Sequence, residues 1–418
     1  MSLYSKSRIA VGIFFILTVF VYGGVNLYMY GSDVLGLLRK IGESRSVEEL
    51  RQSERRAVET LGSQYAGKFD AWAMHARVSA LMGKTEMNNL SVMKSRSGRL
   101  FRGSLYDIPT NTALLIGKDI VQLSDAALEY ELDIFYLGLP DSLVMGAERP
   151  LAYLPFRNFN GAIDSLFFRL REGGVRYLDT RYMFFEQGTD PESVTLKTAF
   201  KMTGAATLAV FDALLESLEK DYSFVLDPDG FYRNRDNYEI TTHAGFFIGE
   251  MGKETGPAFS GLDDFTVITP KFETNFTIDA IETNGRAFSA QGEASETILD
   301  PKALLFYNNY YWFYPQSYYA HTNLAWSKTI NTLRPDGPKV LLVHDFYSAE
   351  IAALLAPLCG ELHTLASPQN QLESPMTMEQ YISDNDLDFA IISFFPQNLA
   401  NPEIRSLLLE KPDDPDKD

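Results

Sequence analysis

The chain has 418 residues, of which 45% are hydrophobic and 22% are charged, enough for one large domain or two of medium size. With 37 basic against 55 acidic residues the formal net charge is -18, which excludes nucleic-acid binding because such a surface repels phosphate. One cysteine excludes an internal disulfide, and five scattered histidines give no metal-ligand spacing, so the sequence predicts no metal and no other cofactor.

The N-terminal region predicts a membrane anchor. Residues 9–30 (IAVGIFFILTVFVYGGVNLYMY) carry no charge, and as a helix they would rise about 33 Å, enough for a hydrocarbon core of about 30 Å. Lys6 and Arg8 should keep residues 1–8 in the cytoplasm. No small-residue cleavage site follows, which favours an uncleaved signal anchor over a removed signal peptide. We therefore expect a single-pass protein of the cytoplasmic membrane with an extracytoplasmic C-terminal domain.

Residues 31–87 predict a helical lead-in after the anchor. The stretch from Ser44 to Met82 contains no proline, and its apolar residues recur at mixed spacings of three and four. This helix either packs on the globular domain, which we favour, or binds a partner as a stalk. The main domain is expected over residues 88–410, and the charged, proline-broken tail at residues 411–418 predicts disorder.

Helices and apolar strands alternate along the main domain. The predicted strands are Thr112–Ile116, Leu132–Pro140, Val175–Asp179, Val340–His344 and Asp388–Phe394. The predicted helices are Asn160–Arg171, Gly204–Lys220 and Ala349–Leu358. This alternation is typical of an α/β fold with a parallel sheet covered by helices on both faces. Residues 227–337 interrupt it and predict a β-rich insertion, with strands at Thr266–Thr269 and Thr274–Ile278.

The buried strand Val340–His344 ends at Asp345, just before a predicted helix. The carboxyl ends of parallel strands are where chemistry is usually located. Serine-dependent acyl transfer needs a nucleophile, a base, an acid and oxyanion donors. Asp345 suits the acid, but Phe346 stands where such an enzyme carries serine, and His344 should point to the opposite face from Asp345. Ser348 is the nearest hydroxyl. The simpler interpretation is that Asp345 or Ser348 caps the helix.

These features resemble the SGNH-type acyltransferases of the alginate O-acetylation class, and within it the group named for a DHHW motif. The segments that carry the resemblance are residues 85–89 (TEMNN), 98–101 (GRLF), 139–141, 338–348, 361–365 and 378–394. The resemblance implies a single N-terminal anchor, an SGNH-like α/β core and a role in modifying or assembling a cell-surface polysaccharide.

The catalytic motifs of that group are altered here. Its members carry Tyr-Arg-Thr-Asp-His-His-Trp-Thr before a helix, and the matching run is residues 196–203 (LKTAFKMT). Ala199 replaces the Asp, while Phe200 and Lys201 replace the two His. Phe346 replaces the nucleophilic Ser, and the resemblance assigns the oxyanion Asn to Asn323. Losing one triad member costs about 10⁴ in rate, so we expect a catalytically inactive relative.

If the resemblance holds, residues 199–201 and 345–346 should lie across one cleft at the carboxyl edge of the sheet. Lys201 could act as a base only with a strongly lowered pKa, and the favoured interpretation is a solvated charge near a helix start. A second hypothesis is an active esterase or acetyltransferase with Ser348 as nucleophile and Lys201 as base. A third is a membrane-tethered scaffold.

An aromatic run between Phe306 and Trp326 includes Tyr311, Trp312 and Tyr314. Exposed aromatic faces stack on sugar rings, so these three side chains are candidate polysaccharide contacts. The favoured interpretation is that most of the run packs as strands under the edge of the sheet. The expected partners are thus the membrane, through the N-terminal helix, and either a polysaccharide or a membrane acyltransferase.

Overall fold

The computed structural model describes residues 68–103, 111–143, 156–306, 309–367 and 376–410, together with scattered positions between 13 and 39. The chain divides into two compact units, residues 1–78 and residues 79–418. In the first unit the described positions between 13 and 39 are helical. None of the helices within the described residues has the length and apolarity to cross a membrane. The predicted anchor lies partly outside those residues, as do most of the predicted lead-in and the whole tail.

Strands and helices alternate along the described residues from 68 onward. The strands are β1 (Glu86–Met87), β2 (Val92–Lys94), β3 (Leu100–Arg102), β4 (Asp133–Gly138), β5 (Arg176–Asp179), β6 (Tyr238–Phe247), β7 (Asp263–Pro270), β8 (Phe276–Glu282), β9 (Ala287–Gly292), β10 (Leu324–Asn331), β11 (Lys339–His344), β12 (Glu361–Ala366) and β13 (Phe389–Ser393). The helices are Lys68–Leu81, Asn111–Ala127, Asn160–Glu172, Thr180–Glu186, Gly204–Tyr222, Glu250–Thr255, Pro257–Ser260, Ala294–Thr297, Ala349–Leu355, Met378–Asp384 and Glu403–Leu408.

The central sheet is mixed. Within the described residues it has eight strands in the order β5-β4-β13-β11-β12-β10-β8-β9. The first five are parallel, as predicted, but β10, β8 and β9 continue the sheet in antiparallel fashion. These three strands come from residues 227–337. Short connections such as the turn between β8 and β9 permit only antiparallel pairing. The predicted parallel sheet therefore corresponds to the first five strands, and three strands of the predicted β-rich insertion extend it. β1–β3 form a small separate sheet, and β6 pairs with β7.

Helices cover both faces of the parallel half. Alternate residues of β11, such as Leu341 and Val343, share one apolar core with the helices Asn111–Ala127 and Asn160–Glu172. On the opposite face Tyr222, at the end of the long helix, contacts Phe135 and Phe389, with ring centroids 6.2 and 5.1 Å apart. The predicted two-sided cover is therefore confirmed.

One predicted element has the wrong type. Thr112–Ile116 was expected as a strand, but it lies in the helix Asn111–Ala127. The buried positions in this helix include Ala113, Ile116 and Ile120, spaced by three and four residues. A five-residue apolar run is too short to distinguish the two periods, and the helical one appears only when the polar residues beyond it are included. The other predicted helices and strands of the core are confirmed, with ends shifted by a few residues.

Candidate functional site

The run at residues 196–203 is a tight loop held by two buried charges. Arg99, which is fully buried, donates from Nη1 to the main-chain oxygen of Leu196 at 2.9 Å. The carboxylate of Asp263 accepts from the main-chain N–H of Thr198 at 2.8 Å and from its hydroxyl at 2.6 Å. These contacts fix the loop just before the helix Gly204–Tyr222.

This loop meets the turn that follows β11. The ring of Phe200 lies 6.5 Å from that of Tyr347, and Nζ of Lys201 lies 4.4 Å from the ring centroid of Phe346. The two motif-equivalent segments are therefore in contact at the carboxyl end of β11, where the resemblance expects them.

Lys201 is not the solvated charge that the sequence suggested. Its side chain is 1% exposed, and Nζ lies 3.4 Å from Oε1 of Glu350 in the first turn of the helix Ala349–Leu355. The other carboxylate oxygen of Glu350 accepts from the Thr207 hydroxyl at 3.1 Å. The prediction of a solvated Lys201 was wrong. A buried lysine needs a counter-charge, and the sequence around Lys201 does not reveal that the distant Glu350 provides it. The face of Phe346 adds a cation–π contact.

Ala199 occupies a closed position. It is fully buried against Gly249, where a Cβ added to the glycine would overlap the Cβ of Ala199. The main-chain N–H of Gly249 donates to the hydroxyl of Thr198 at 2.7 Å. The chain that leads into the helix Glu250–Thr255 is thus pressed against the position where DHHW-type proteins carry an aspartate.

Asp345 serves as a structural cap. Its Oδ1 accepts from the main-chain N–H of Tyr347 at 2.9 Å, while Oδ2 accepts from the N–H of Phe395 at 2.5 Å and from Nδ2 of Asn398 at 2.8 Å. Burial raises the pKa of this carboxyl, and the three donors oppose that shift. His344 reaches the main-chain oxygen of Asp345 at 2.8 Å. Asp345 thus caps the 3₁₀ turn Phe346–Ser348 that precedes the helix Ala349–Leu355, whereas the helix itself has no side-chain cap bond.

Ser348 is fully buried. Its hydroxyl lies 3.2 Å from the Ser393 hydroxyl and 3.3 Å from the Ser393 main-chain oxygen, and it makes no cap bond to the helix that follows. A hydroxyl closed off in this way has no path to a substrate, which argues against Ser348 as a rescue nucleophile.

A cavity of about 570 Å³ opens beside these loops. Its wall is formed by Ile248, Gly249, Glu250, Lys253, Thr283, Tyr314, Gln316, Ser317, Thr322, Asn323, Phe346, Tyr347, Ser367, Asn398 and Asn401. The volume suits a small ligand or one or two units of a polymer. Of the residues singled out in the sequence, Phe346, Asn323 and Tyr314 meet here.

Glu250 and Lys253 contribute the two opposite charges of the cavity wall. Burial raises the pKa of Glu250, opposed by nearby main-chain amides and by Lys201. Burial lowers the pKa of Lys253 to about 7, opposed by Glu250. Nζ of Lys253 donates to the main-chain oxygen of Phe313 at 2.8 Å and lies against the ring of Tyr314. Neither residue was predicted as a site residue. Their spacing of three on one helix face is the signal that could have indicated a pair.

Within the described residues, the aromatic run does not form strands under the sheet edge, apart from Trp326 in β10. It lies in loops and 3₁₀ turns such as Pro315–Tyr318, whose first residue is a proline, which favours a turn. Within the run Phe313, Tyr318 and Tyr319 are buried.

Trp312 is 71% exposed and Tyr314 is 48% exposed. Trp312 lines a second cavity, of about 560 Å³, that shares Tyr314 and Ser317 with the first. Tyr311 is half-buried and lies on neither wall, and Tyr307 is outside the described residues.

Two buried histidines lie close in sequence to residues of the cavity wall. His321 and His344 are at most 1% exposed, and burial lowers the pKa of the first to about 3 and of the second to about 4. A positive charge on His344 opposes protonation of His321, and the charge of Lys201 opposes protonation of His344. In the part of the chain that the structure describes, no group of three His, Cys, Asp or Glu side chains could hold a metal ion.

Solved structures share this fold, although neither a family model nor a curated protein sequence matches the chain significantly. A DHHW family protein from Eubacterium siraeum is 15% identical, with a TM-score of 0.55, covering 78% of this chain and 98% of that chain. PatB1 from Bacillus cereus, solved with a sulfonyl adduct, is 14% identical, with a TM-score of 0.59, covering 78% and 100%. At these identities the likeness shows the fold alone, and at that level it confirms the resemblance to DHHW-type proteins.

Proposed function

We propose that this chain is a membrane-anchored, extracytoplasmic protein that binds a cell-surface polysaccharide and carries out no serine-dependent acyl transfer. The observation that carries the proposal is an open polar cavity lined by Phe346, the residue that the resemblance aligns with the nucleophilic serine. The anchor rests on residues 9–30, and the ligand class rests on the resemblance together with the chemistry of the cavity wall.

The surroundings of Phe346 support the absence of acyl transfer. A phenyl ring has no nucleophilic atom, and neither Ala199 nor Phe200 can move a proton. Lys201 is bound to Glu350 beneath the ring. Ser348 is closed off from the cavity. Within the described residues the cavity therefore offers no hydroxyl activated by an adjacent base, which serine-dependent transfer requires.

The cavity wall supports a sugar ligand. Side-chain amides and hydroxyls of Asn323, Ser317 and Ser367 line it and can pair with sugar hydroxyls. Trp312 and Tyr314 provide exposed aromatic faces next to these groups, suited to the apolar face of a sugar ring. The second cavity adjoins the first across Tyr314, and a row of adjoining sites suits a polymer better than a single small molecule.

Affinity electrophoresis of the full-length protein tests the ligand class, with polymannuronate, chitooligosaccharides and solubilised peptidoglycan as probes. Tyr314→Ala and Asn323→Ala should each weaken binding by about fivefold, because one stacking or hydrogen-bond contact contributes about 1 kcal/mol. The matched control is Tyr182→Ala, which removes a tyrosine that is 54% exposed on another part of the surface. Binding of none of the probes, or equal losses in Tyr314→Ala and Tyr182→Ala, contradicts the proposal.

Steady-state hydrolysis of p-nitrophenyl acetate tests the catalytic part. Wild type and Ser348→Ala should both give no sustained turnover above buffer. Sustained turnover that disappears in Ser348→Ala would instead establish the rearranged esterase. A membrane acyltransferase partner stays a prediction, and a stable complex with one, without polysaccharide binding, would favour the scaffold.

A further inference from the structure

Lys253 has an unusual environment for a lysine. It lies on the cavity wall in the helix Glu250–Thr255, partly buried, with Nζ bonded to the main-chain oxygen of Phe313 at 2.8 Å. No carboxylate among the described residues lies within ion-pair distance of it. By contrast, Lys328 and Lys339 have carboxylate oxygens at 2.7 and 2.8 Å.

Burial and the groups around Lys253 act on its proton in opposite directions. The main-chain oxygen of Phe313 and the ring face of Tyr314 favour the ammonium, while burial on the cavity wall disfavours it and is the larger effect. Glu250, one turn earlier, favours the ammonium, but its own pKa is raised by burial. Tyr314, in the aromatic run, contacts Nζ of Lys253 with its ring. Burial raises the pKa of the Tyr314 hydroxyl, so Tyr314 stays neutral and adds no negative charge. Glu254, the next residue, is tied to Arg102 by two bonds of 2.5 Å. With a pKa of about 7, a large share of Lys253 is therefore free amine at neutral pH, and a free amine is a nucleophile.

We propose that Lys253 is an acyl-accepting amine that reacts with activated acyl esters or thioesters entering the cavity. The lone pair of Nζ attacks the acyl carbonyl carbon, and a C–N bond forms as the ester C–O or thioester C–S bond breaks. The electron pair leaves with the alkoxide or thiolate, which takes up the proton released by the amine. The products are an N-acyl-lysine and an alcohol or thiol, with no oxidation or reduction.

This reaction differs from serine-dependent transfer in its outcome. An amide does not hydrolyse readily, so each chain accepts one acyl group and then stops. Acylation also removes the cation from the cavity wall and leaves Glu250, so the acylated cavity should disfavour acidic ligands. No other lysine of the described residues lines this cavity, and Lys201 is sealed by Glu350. The inference stands whether or not the natural ligand is a polysaccharide.

Acetylation of the full-length protein by p-nitrophenyl acetate tests the inference, with nitrophenolate release followed in time and the modified peptides mapped by mass spectrometry. The expected result is a burst of about one equivalent at Lys253. At neutral pH the free-amine fraction of an ordinary lysine is about 10³-fold lower than that of Lys253. Lys253 should therefore react at least about tenfold faster than Lys302, an exposed lysine of the second cavity. The rate should rise with pH through about 7 and then level off.

Two variants complete the test. Lys253→Arg keeps the charge and should abolish the burst while circular dichroism stays unchanged. Glu250→Gln removes the charge that opposes deprotonation and should shift the midpoint of the pH–rate profile downward. Labelling of Lys253 and Lys302 at equal rates would overturn the inference, as would an undiminished burst in Lys253→Arg.

Discussion

Neutralising Glu350 should destabilise the folded chain by about 3 kcal/mol, because it leaves the ammonium of Lys201 buried without its closest counter-charge. The side chains are 1% and 8% exposed, and their charges lie 3.4 Å apart. At an effective dielectric constant of about 20 this separation corresponds to about 5 kcal/mol of attraction. Breaking one partner of a buried pair typically costs about 3–5 kcal/mol. Glu350→Gln should fall at the lower end, since Glu250 also lies near Lys201.

Lys201→Met should cost more, up to about 5 kcal/mol, because it leaves two carboxyl groups without their shared cation. In Lys201→Met/Glu350→Gln no unpaired charge of the pair remains. The double variant should therefore be more stable than the sum of the single losses implies, by about 2 kcal/mol or more.

Urea unfolding at neutral pH, followed by circular dichroism, measures this cycle. The matched control is the exposed pair Lys339 and Asp386, whose nitrogen and oxygen lie 2.8 Å apart and whose coupling should stay below about 1 kcal/mol. Strict additivity at Lys201 and Glu350 would refute the reasoning, since it would mean that the two charges are solvated independently.

Three further variants test close packing and the protonation of buried groups. Gly249→Ala should lower the free energy of unfolding by about 1–3 kcal/mol in urea unfolding, because the new methyl group overlaps Ala199; an unchanged midpoint would contradict that contact. Burial raises the pKa of Asp141 to about 6, so its contribution favours folding below about pH 4 and is lost as pH rises through 6. Asp141→Asn should therefore gain stability relative to wild type by up to about 3 kcal/mol between pH 4 and pH 8, and a pH-independent difference would contradict this. The pKa of His321 is lowered to about 3, so its contribution is lost as pH falls from about 6.5 towards 3. His321→Asn should flatten that acid loss, and a slope identical to that of wild type would exclude a buried neutral histidine.

The sequence predicted much of the parallel core because those strands are buried on both faces. Val340–His344 and Asp388–Phe394 are continuous apolar runs that only a covered strand accommodates. The run Thr112–Ile116 was wrongly predicted as a strand, because five apolar residues are compatible with the period of a strand and with that of a helix. The antiparallel half could not be predicted, because which strands pair depends on contacts between distant segments, such as β10 with β12.

For the site, the resemblance identified the two loops that meet, but local sequence could not identify their partners. Lys201 looks exposed in sequence because Glu350 lies 149 positions away. Glu250 and Lys253 belong to no motif, and only the fold brings them to the same cavity as Asn323 and Phe346. Local sequence therefore does not predict which charged side chains of this site pair with partners far away in the chain.

The contact between Gly249 and Ala199 also bears on how such a chain can change over generations. An aspartate placed at position 199 meets Gly249 unless the neighbouring segment moves. A serine placed at position 346 gains no proton acceptor from Ala199 or Phe200. Because neither change helps alone, a chain packed in this way needs several coordinated substitutions before it can acquire serine-dependent acyl transfer.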